Sequence, residues 1–357
     1  MSESENHLFE LTLFVLGSPR YRLESKTAIH ELLEAVDPVF TSRVLDRLNL
    51  AAQFYELLIQ ADICDQSWEK ALSPLVALHK VIYDVAAREV KRIGVCLSSA
   101  GYEPIVLKGP ACWHRLYPEP HVRRIKDIDL WIRFPDELLG ASEGLESIGY
   151  KCNHPNTPEL AYDPETVSLN VQAQMCRITV DESQTDLLLQ AIAAGYRSTP
   201  VEHVSDNTFD VPLEVQIHKN PLLWPGGVAP VLSDGDIVPW LSAPGLFIMS
   251  VPLELPYLCT KFVFDLHFNT TKCTKLLGDV VRLLCTASDE EVAQSIAISA
   301  NWKIASHYRR CLSLAKNLVP ELQIEGIDCE SINVIRPIVA QAISEASVAE
   351  INFNDNC

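Results

Sequence analysis

The feature that most constrains the fold is a short stretch in which helical spacing gives way to buried strands. Residues 104–107, PIVL, predict a strand, and the turn at Lys108 and Gly109 opens a short helix. A proline in the first turn of that helix is tolerated, because its missing N–H would have no partner there. A second strand, DIDLWI at residues 127–132, precedes another helical segment. Strand, helix, strand and helix in close succession predict an α/β unit.

Helical sequence surrounds this unit. Upstream, apolar residues at helical spacing predict an N-terminal region of four or five helices over residues 1–101. Residues 209–218 add a strand, and the chain then returns to helical spacing in a C-terminal region, 221–357. We therefore predict an α/β (α+β) fold with a mixed-sheet core, residues 102–220, between two helical regions.

The charge balance limits the class of partner. The 357 residues include 47 Asp and Glu against 29 Lys and Arg, a formal net charge of −18. Because nucleic-acid binding relies on clustered Lys and Arg, this balance argues against RNA or DNA as the main partner. A local basic site for a small anion remains compatible with it.

Cysteines and apolar segments indicate the compartment. The 11 cysteines include no C-x-x-C pair, which favours reduced thiols over a zinc or dithiol redox site. The first residues carry acids where a secretory signal needs a basic segment. A long uncharged run, 237–253, is interrupted by prolines and is too short to span a bilayer. We expect a soluble, cytoplasmic protein that does not bind membranes.

Two aspartates in the second strand carry most of the functional information. Residues i and i+2 of a strand point to one face, so Asp127 and Asp129 project together while Ile128 and Leu130 face the core. Like charges this close persist where a cation or strong donors share the site. Such oxygen ligands suit Mg²⁺, which takes further oxygens from water and phosphate. The alternative is that both acids lie at an exposed strand end.

The surrounding residues favour the metal-binding interpretation. The turn at Lys108 and Gly109 leads into a helix N-terminus, where free N–H groups and the helix dipole attract phosphate. Glycine lets a phosphate approach the backbone closely, and Arg123 and Arg124 add positive charge near the same sheet edge. Together these features form a consistent set for phosphoryl or nucleotidyl transfer.

The motifs of this segment resemble those of the uncharacterised nucleotidyltransferase family, part of the DNA-polymerase-β-like superfamily. The matching stretches are IVLKG, YPEPHVRRIKDIDLWI and the IGY after the next helix. In that family an LKG turn replaces the Gly-Ser of better-known relatives, and an arginine stands four residues before DIDL, the position of Arg123. In the C-terminal region, LCTKFVFDLHFN and KLLGDVVRLL are similar to the family's helical patterns and place Asp279 on its aspartate.

The resemblance implies a nucleotide site. Asp127 and Asp129 would bind one or two Mg²⁺ ions that carry the triphosphate of ATP or another nucleoside triphosphate. ATP is the expected donor because it is the most frequent one in the superfamily. The expected nucleotide-binding residues are Lys108, Gly109, Arg123 and Arg124.

A third carboxylate usually completes such a site and deprotonates the acceptor. The family has an acid two residues before a strand histidine, whereas this chain has Gln216 before His218. Glu214 is the nearest acid on the same face. Either Glu214 has taken this role, or the site works with one metal ion, or catalysis is weakened. We predict Glu214 as the third catalytic and metal-binding carboxylate, with Asp127 and Asp129.

The predicted reaction is Mg²⁺-dependent transfer of a nucleoside monophosphate, as AMP from ATP, to a small-molecule or peptide acceptor with release of pyrophosphate. Such a reaction serves biosynthesis or the modification of an antibiotic. Two alternatives stay open. A phosphotransferase would pass the terminal phosphoryl group from the same metal site. A non-catalytic nucleotide-binding partner protein would account for Gln216 in the place of an acid.

Other polar residues have simpler interpretations. His218, at a strand end, is expected to be a hydrogen-bonded structural histidine. Lys261, Lys272 and Lys275 are within reach of a phosphate but are assigned to the surface, with their stems along apolar side chains. Asp279 is expected to cap a helix or form a salt bridge, if it does not share the role of the family's aspartate.

Overall fold

The chain forms one mixed β-sheet with helices before and after it. The computed structural model describes residues 3–17, 26–152, 168–194, 196, 201–218, 232–268, 270–322, 324, 327 and 331–354. The predicted fold class, α/β with a mixed-sheet core between two helical regions, is confirmed. The predicted division at residue 220 lies outside the described residues, and the three-region division stays a prediction.

Within the described residues, five helices precede the sheet. They are α1 (Glu3–Leu16), α2 (Lys26–Glu34), α3 (Pro38–Arg47), α4 (Ala51–Gln60) and α5 (Gln66–Ser99). Side-chain caps begin two of them: Asp37 accepts a backbone hydrogen bond at the start of α3, and Asp65 accepts two at the start of α5. The long helix α5 buries one stripe of apolar residues, including Leu78, Ile82 and Val85, as the helical spacing predicts.

The sheet follows. Its strands are β1 (Pro104–Leu107), β2 (Asp127–Ile132), β3 (Lys151–Cys152), β4 (Ser168–Thr179), β5 (Glu202–Ser205), β6 (Thr208–His218), β7 (Ile237–Pro239) and β8 (Phe247–Met249). Seven strands are arranged in the order β3-β4-β6-β2-β1-β8-β7, and β5 pairs with β6. The central strand β2 is antiparallel to β1 and parallel to β6, and β1 is parallel to β8. In the part of the chain that the structure describes, three helices connect strands: α6 (Gly109–Leu116), α7 (Leu138–Ser147) and α8 (Glu182–Ala193).

Strands β7 and β8 lie in a part of the sequence that we predict as helical. Pro239 and Pro244 explain the difference, because a proline inside a helix removes a backbone donor and clashes with the preceding turn. The parallel pairing of β8 with β1 therefore brings residues from beyond 220 into the sheet.

Five helices complete the described chain. They are α9 (Val251–His267), α10 (Cys273–Thr286), α11 (Asp289–Asn301), α12 (Ala305–Leu318) and α13 (Arg336–Asn354). A capping box of Ser288 and Glu291 begins α11. α9 packs against α10, α11 and α12, and α13 packs against α1 and α3 of the N-terminal region. Of the helices described, none combines the length and apolar character that a membrane span requires.

The alternation of side chains along β2 divides the interior into two cores. Ile128 and Leu130 belong to the core that includes residues of α5 and α7, whereas Trp131 and Leu107 belong to the core formed with the N- and C-terminal helices. Both faces of the sheet are therefore covered by helices. Asp129 alternates with Ile128 and Leu130, so it lies on the face covered by α9 and α10.

Candidate functional site

Asp127 and Asp129 lie on one face of β2, as the strand alternation predicts. In the neighbouring strand β1, Leu107 pairs with Asp129, and in β6, Glu214 pairs with Asp127 and Gln216 with Asp129. Asp129 is buried and Asp127 is half-buried. The two carboxylates therefore have side chains of β6 as their neighbours on the same face.

Lys108 forms the sharp turn between β1 and α6. Its φ of 52° and ψ of −125° are costly for a residue with a side chain. Its ammonium nitrogen lies 3.0 Å from Asp129 Oδ2. Burial alone would lower the pKa of Lys108, but Asp129 and Asp127 outweigh it and hold the pKa above the ordinary lysine value. The strained turn thus places the Lys108 ammonium, which stays protonated, beside the two aspartates.

His218 engages the other oxygen of Asp129. Its Nε2 lies 2.6 Å from Asp129 Oδ1, and burial lowers the pKa of His218 more than Asp129 raises it, so a neutral ring donates its Nε2 proton. Burial would raise the pKa of Asp129, but Lys108 and His218 together hold it well below its usual range. The prediction that His218 is hydrogen-bonded is confirmed, and Asp129 is fixed from both sides.

A cavity of about 200 Å³ opens onto the face that carries the aspartates. Helices α9 and α10, together with Lys272 directly before α10, contribute to its lining; these residues are Lys261, Phe264, Asp265, Lys272, Lys275 and Leu276. Five lysines and one arginine line the cavity, against three aspartates, in a chain with a net charge of −18. The cavity is therefore a local basic site, suited to an anion, in an acidic protein.

The assignment of Lys261 to the surface is wrong, and Lys275 lines the same cavity. Lys261 is only 6% exposed, and its ammonium group forms no hydrogen bond or ion pair with the described residues. Lys275 is half-buried on α10. Burial lowers the pKa of both groups to about 7, with Lys108 adding to the effect at Lys261 and Arg123 at Lys275. Both lysines line the cavity because α9 and α10 pack over the acidic sheet face.

The sequence of helix α9 contains a signal that identifies Lys261 and Asp265 as residues of a site. Its 17 residues, VPLELPYLCTKFVFDLH, are mostly apolar and buried, and Lys261 and Asp265 stand four residues apart among them. A charge in a buried helix needs a partner or a ligand. Burial raises the pKa of Asp265, although Lys108 and three other lysines act against it. The isolated charges of α9 therefore indicate a site rather than a surface.

Arg123 is buried and paired with Asp279 of α10. Its Nε and Nη2 donate to the two carboxylate oxygens at 2.8 and 2.6 Å, and the Tyr117 hydroxyl donates to Oδ1 at 2.7 Å. Burial alone would lower the pKa of Arg123, but the charge and hydrogen bonds of Asp279 together outweigh burial and hold the pKa above the ordinary arginine value. The salt-bridge interpretation of Asp279 is confirmed. Arg123 lines the cavity while its charge is largely satisfied by this aspartate.

Arg124 points to another part of the protein. Its Nη1 donates to Asn49 Oδ1 at 2.6 Å and lies 3.7 Å from Asp46 Oδ1. It is not among the residues that line the cavity. The structure therefore does not bring Arg124 together with Asp127 and Asp129, and its geometry gives no support to a nucleotide contact.

Gly109 is the first residue of α6 and lines the cavity. A Cβ at this position would lie 2.8 Å from Ile125 Cγ2, closer than two such carbons approach. Glycine is thus needed because the segment before β2 packs directly against the turn. The first intrahelical bond runs from the Cys112 N–H to the Lys108 carbonyl, which leaves the earlier N–H groups available.

Strand β6 brings Gln216, rather than Glu214, to the cavity. Gln216 lines the cavity opposite Asp129, whereas Glu214 pairs with Asp127 and is not a lining residue. Among the residues described, no three His, Cys, Asp or Glu side chains are grouped as ligands of one metal ion. The role predicted for Glu214 stays a prediction.

The residues present fit a magnesium ion that takes few protein ligands. Asp127 forms no hydrogen bond or ion pair within the described part of the chain, whereas both oxygens of Asp129 are engaged by Lys108 and His218. Mg²⁺ typically uses one or two carboxylates and completes its shell with water and phosphate oxygens. The carboxylate of Asp127 is therefore available to bind the ion. An ion bound to Asp129 would share that carboxylate with Lys108.

Comparison with known proteins gives one match. Residues 35–214, half of the chain, match the model of a family described as uncharacterised nucleotidyltransferase. The matched region contains the Lys108–Gly109 turn and β2, and it ends at Glu214. No curated protein and no solved structure matches the chain.

Proposed function

Because the chain belongs to the uncharacterised nucleotidyltransferase family, we propose that it transfers a nucleoside monophosphate from a nucleoside triphosphate, with ATP as the donor, to a small-molecule or peptide acceptor. Pyrophosphate is the second product. The observation that carries this proposal is the basic cavity that holds Asp127 and Asp129 beside the strained turn at Lys108. Such a cavity combines places for a metal ion and for a polyanion.

The lysines of the cavity supply the binding energy for the triphosphate. Lys108 is held against Asp129, whereas the Lys261 ammonium lies over the ring of Tyr257, 5.9 Å from its centroid, and forms no ion pair with the described residues. Lys275 borders the same cavity. Because Lys261 is already buried, a triphosphate would add little to the desolvation of its ammonium group, and it would pair all three groups with oxygens. The free N–H groups at the start of α6 add donors next to Gly109.

When bound, Mg²⁺ would be held by Asp127 and Asp129 and would neutralise charge on the phosphates. His218 keeps Asp129 in a fixed orientation through its Nε2 donor, so this carboxylate does not have to reorganise. Lys108 offsets the charge that develops on the leaving pyrophosphate. Ile125, Phe264 and Leu276 provide the apolar wall against which the base or ribose of the nucleotide would pack.

Glu214 is the proposed group that takes the proton of the acceptor. It is half-buried and neighbours Asp127 across the parallel pairing of β2 and β6, whose strands lie about 4.8 Å apart. An acceptor hydroxyl or amine would therefore approach from the Asp127 side of the cavity. An acceptor without large negative charge is favoured, because the chain outside the cavity is acidic.

The thiols support a cytoplasmic location. Cys112, Cys259, Cys273 and Cys311 are buried free thiols. Such cysteines persist in a reducing compartment, where they act as small apolar side chains.

Calorimetry with a non-hydrolysable ATP analogue tests the site, with and without Mg²⁺. Asp127→Ala is the informative variant because Asp127 forms no hydrogen bond or ion pair with the described residues, and Lys108 keeps its ion pair with Asp129 when Asp127 is removed. Glu31→Ala/Glu34→Ala, on the exposed face of α2, is the matched control. We expect Mg²⁺-dependent binding in the wild type and the control, and its loss in Asp127→Ala. Absence of binding with any of the four nucleoside triphosphates would contradict the proposal.

Labelled nucleotide separates the remaining alternatives. Incubation with α-labelled and γ-labelled ATP and a panel of hydroxyl and amine acceptors reports which phosphorus is transferred. Transfer of the α label supports nucleotidyl transfer, and transfer of the γ label supports a phosphotransferase. A second function, non-catalytic nucleotide binding, is favoured by Gln216 opposite Asp129. Binding without turnover, retained after Glu214→Gln, would support that function instead.

A further inference from the structure

Helix α9 passes from the interior of the protein to the surface beside the basic cavity. Lys261 is 6% exposed, Asp265 one turn later is half-buried, and Phe268 directly after the helix is 60% exposed. Residues four apart lie on the same face of a helix, so Lys261 and Asp265 line the cavity together, about 6 Å apart along the helix axis. The helix therefore provides a cation at the inner end of the cavity and a carboxylate at the outer end.

The carboxylate of Asp265 is not used by the protein itself. It forms no hydrogen bond or ion pair with the described residues, although Lys108 and three other lysines lie near enough to act on its charge. Neither of its oxygens is fully buried, so a ligand in the cavity can reach them. A half-buried carboxylate gains free energy from any group that donates hydrogen bonds to it.

The chemistry of Asp265 limits which part of a nucleotide it can contact. A phosphate would be repelled by the carboxylate. In the part of the chain that the structure describes, Asp265 is not grouped with Asp127 and Asp129 as a set of ligands for one metal ion. An ionised carboxylate only accepts hydrogen bonds, and the donors that all ribonucleoside triphosphates have in common are the ribose hydroxyls.

The size of the cavity places the nucleoside beside Asp265. The volume of about 200 Å³ is below the roughly 300–1,000 Å³ of a pocket that encloses a drug-sized ligand, so a bound nucleotide would extend beyond it. With the phosphates at Gly109 and Lys261, the nucleoside would pass Phe264, which lines the cavity. The ring centroids of Phe264 and the exposed Phe268 are 4.8 Å apart, and such rings stack with a base. The ribose, between phosphates and base, would lie against Asp265.

We propose that Asp265 selects ribonucleoside triphosphates by accepting hydrogen bonds from the ribose hydroxyls. The inference rests on the proposed function, because it names the class of nucleotide that the basic cavity takes. Stacking on Phe264 and Phe268 holds the base at the outer end of α9. The acceptor keeps the other side of the cavity, towards Asp127 and Glu214.

Calorimetry on the full chain with Mg²⁺ tests the inference with two nucleotides, the non-hydrolysable α,β-methylene analogues of ATP and of 2′,3′-dideoxy-ATP. Asp265→Ala removes the carboxylate, and Asp186→Ala, at an exposed position of α8, is the matched control. We expect the wild type and the control to bind the ribonucleotide about tenfold more tightly, the effect of one hydrogen bond to a charged group. In Asp265→Ala this ratio should fall to about one.

The ratio separates recognition of the ribose from the general charge of the site, because both nucleotides carry the same phosphates. Inorganic tripolyphosphate provides a further readout. Asp265→Ala should bind it at least as tightly as the wild type does, since a negative charge among the lysines has been removed. Asp265→Asn keeps the shape of the side chain, and its neutral oxygen should reduce the ratio to about threefold. This variant tests the inference even if Asp265→Ala does not fold.

Equal affinity of the wild type for the two nucleotides would overturn the inference and leave the proposed function in place. A tenfold preference for the ribonucleotide that is retained in Asp265→Ala or Asp265→Asn would also overturn it, because the hydroxyls would then be bound elsewhere. Failure of the wild type to bind any nucleoside triphosphate would overturn the inference and the proposed function together.

Discussion

Arg123 and Asp279 form a two-point ion pair between the segment before β2 and helix α10. The Nε and Nη2 donors lie 2.8 and 2.6 Å from the two carboxylate oxygens, and both side chains are almost completely buried. The pair ties the strand that carries the aspartates to the helix that carries Lys275. It therefore fixes the two halves of the basic cavity relative to one another.

We expect Asp279→Ala to be strongly destabilising. Removing one partner leaves the Arg123 guanidinium buried without a counter-charge, which costs about 3–5 kcal/mol. Guanidinium denaturation measures the change in the free energy of unfolding. Asp210→Ala is the matched control, because Asp210 pairs with Arg177 at 2.8 Å where Arg177 is 64% exposed. An exposed pair of this kind is worth about 0–1 kcal/mol. Equal losses in the two variants would contradict the structural role of the Arg123–Asp279 pair.

The turn at Gly109 provides a second prediction. In Gly109→Ala the new Cβ would meet Ile125 Cγ2 at 2.8 Å, so either the turn or the segment before β2 must shift. We expect a loss of about 1–3 kcal/mol of stability, typical of an overpacked site, and weaker nucleotide binding. Gly235→Ala is the control, since its Cβ would have no neighbour within 4 Å. Thermal unfolding measures the loss of stability, and calorimetry measures nucleotide binding. A Gly109→Ala protein as stable as the wild type would show that the Ile125 side chain can move away from the new Cβ at little cost.

The two halves of the site differ in how far the sequence determines them. The shared face of Asp127 and Asp129 follows from the strand period alone, and the turn at Lys108 follows from local signals. The partner of Arg123 is 156 residues away in the chain, and the position of Lys261 depends on how α9 packs over the sheet. Contacts of this kind depend on tertiary packing, so spacing and propensity cannot predict them.

Nucleotide binding should take up protons through Lys261. The pKa of this group is about 7 in the free protein because burial and Lys108 disfavour its charged form, so much of it is neutral above that pH. A triphosphate favours the ammonium and raises the pKa. Affinity should therefore fall as the pH rises from 6 to 9, by about tenfold, with net proton uptake on binding in this range.

Lys261→Met isolates this contribution from the titration of the nucleotide itself. Calorimetry in two buffers of different ionisation enthalpy gives the number of protons taken up by each protein. We expect the variant to bind more weakly at pH 6 and to show a smaller dependence on pH. The same pH dependence in both proteins would show that Lys261 does not contact the phosphates. Lys70→Gln controls for the loss of one positive charge at the surface.

The position of Gln216 allows a test of the missing carboxylate. Gln216 pairs with Asp129 across β2 and β6 and lines the cavity. Gln216→Glu would place a third acid beside Asp127 and Asp129, where repulsion lowers stability without a metal and an additional ligand strengthens Mg²⁺ binding. We expect a lower melting temperature without Mg²⁺ and a larger rise on adding millimolar Mg²⁺ than in the wild type, by roughly 2–4 °C for each kcal/mol of added binding free energy.

The control for this substitution is Gln190→Glu, the same change on the exposed end of α8. It should alter neither the melting temperature without metal nor the response to Mg²⁺. If the cavity is a metal site that lacks a ligand, Gln216→Glu should also raise the rate of nucleotide turnover, because one more oxygen fixes the ion against the phosphates. A Gln216→Glu protein that responds to Mg²⁺ no more than Gln190→Glu does would mean that the ion does not bind between β2 and β6.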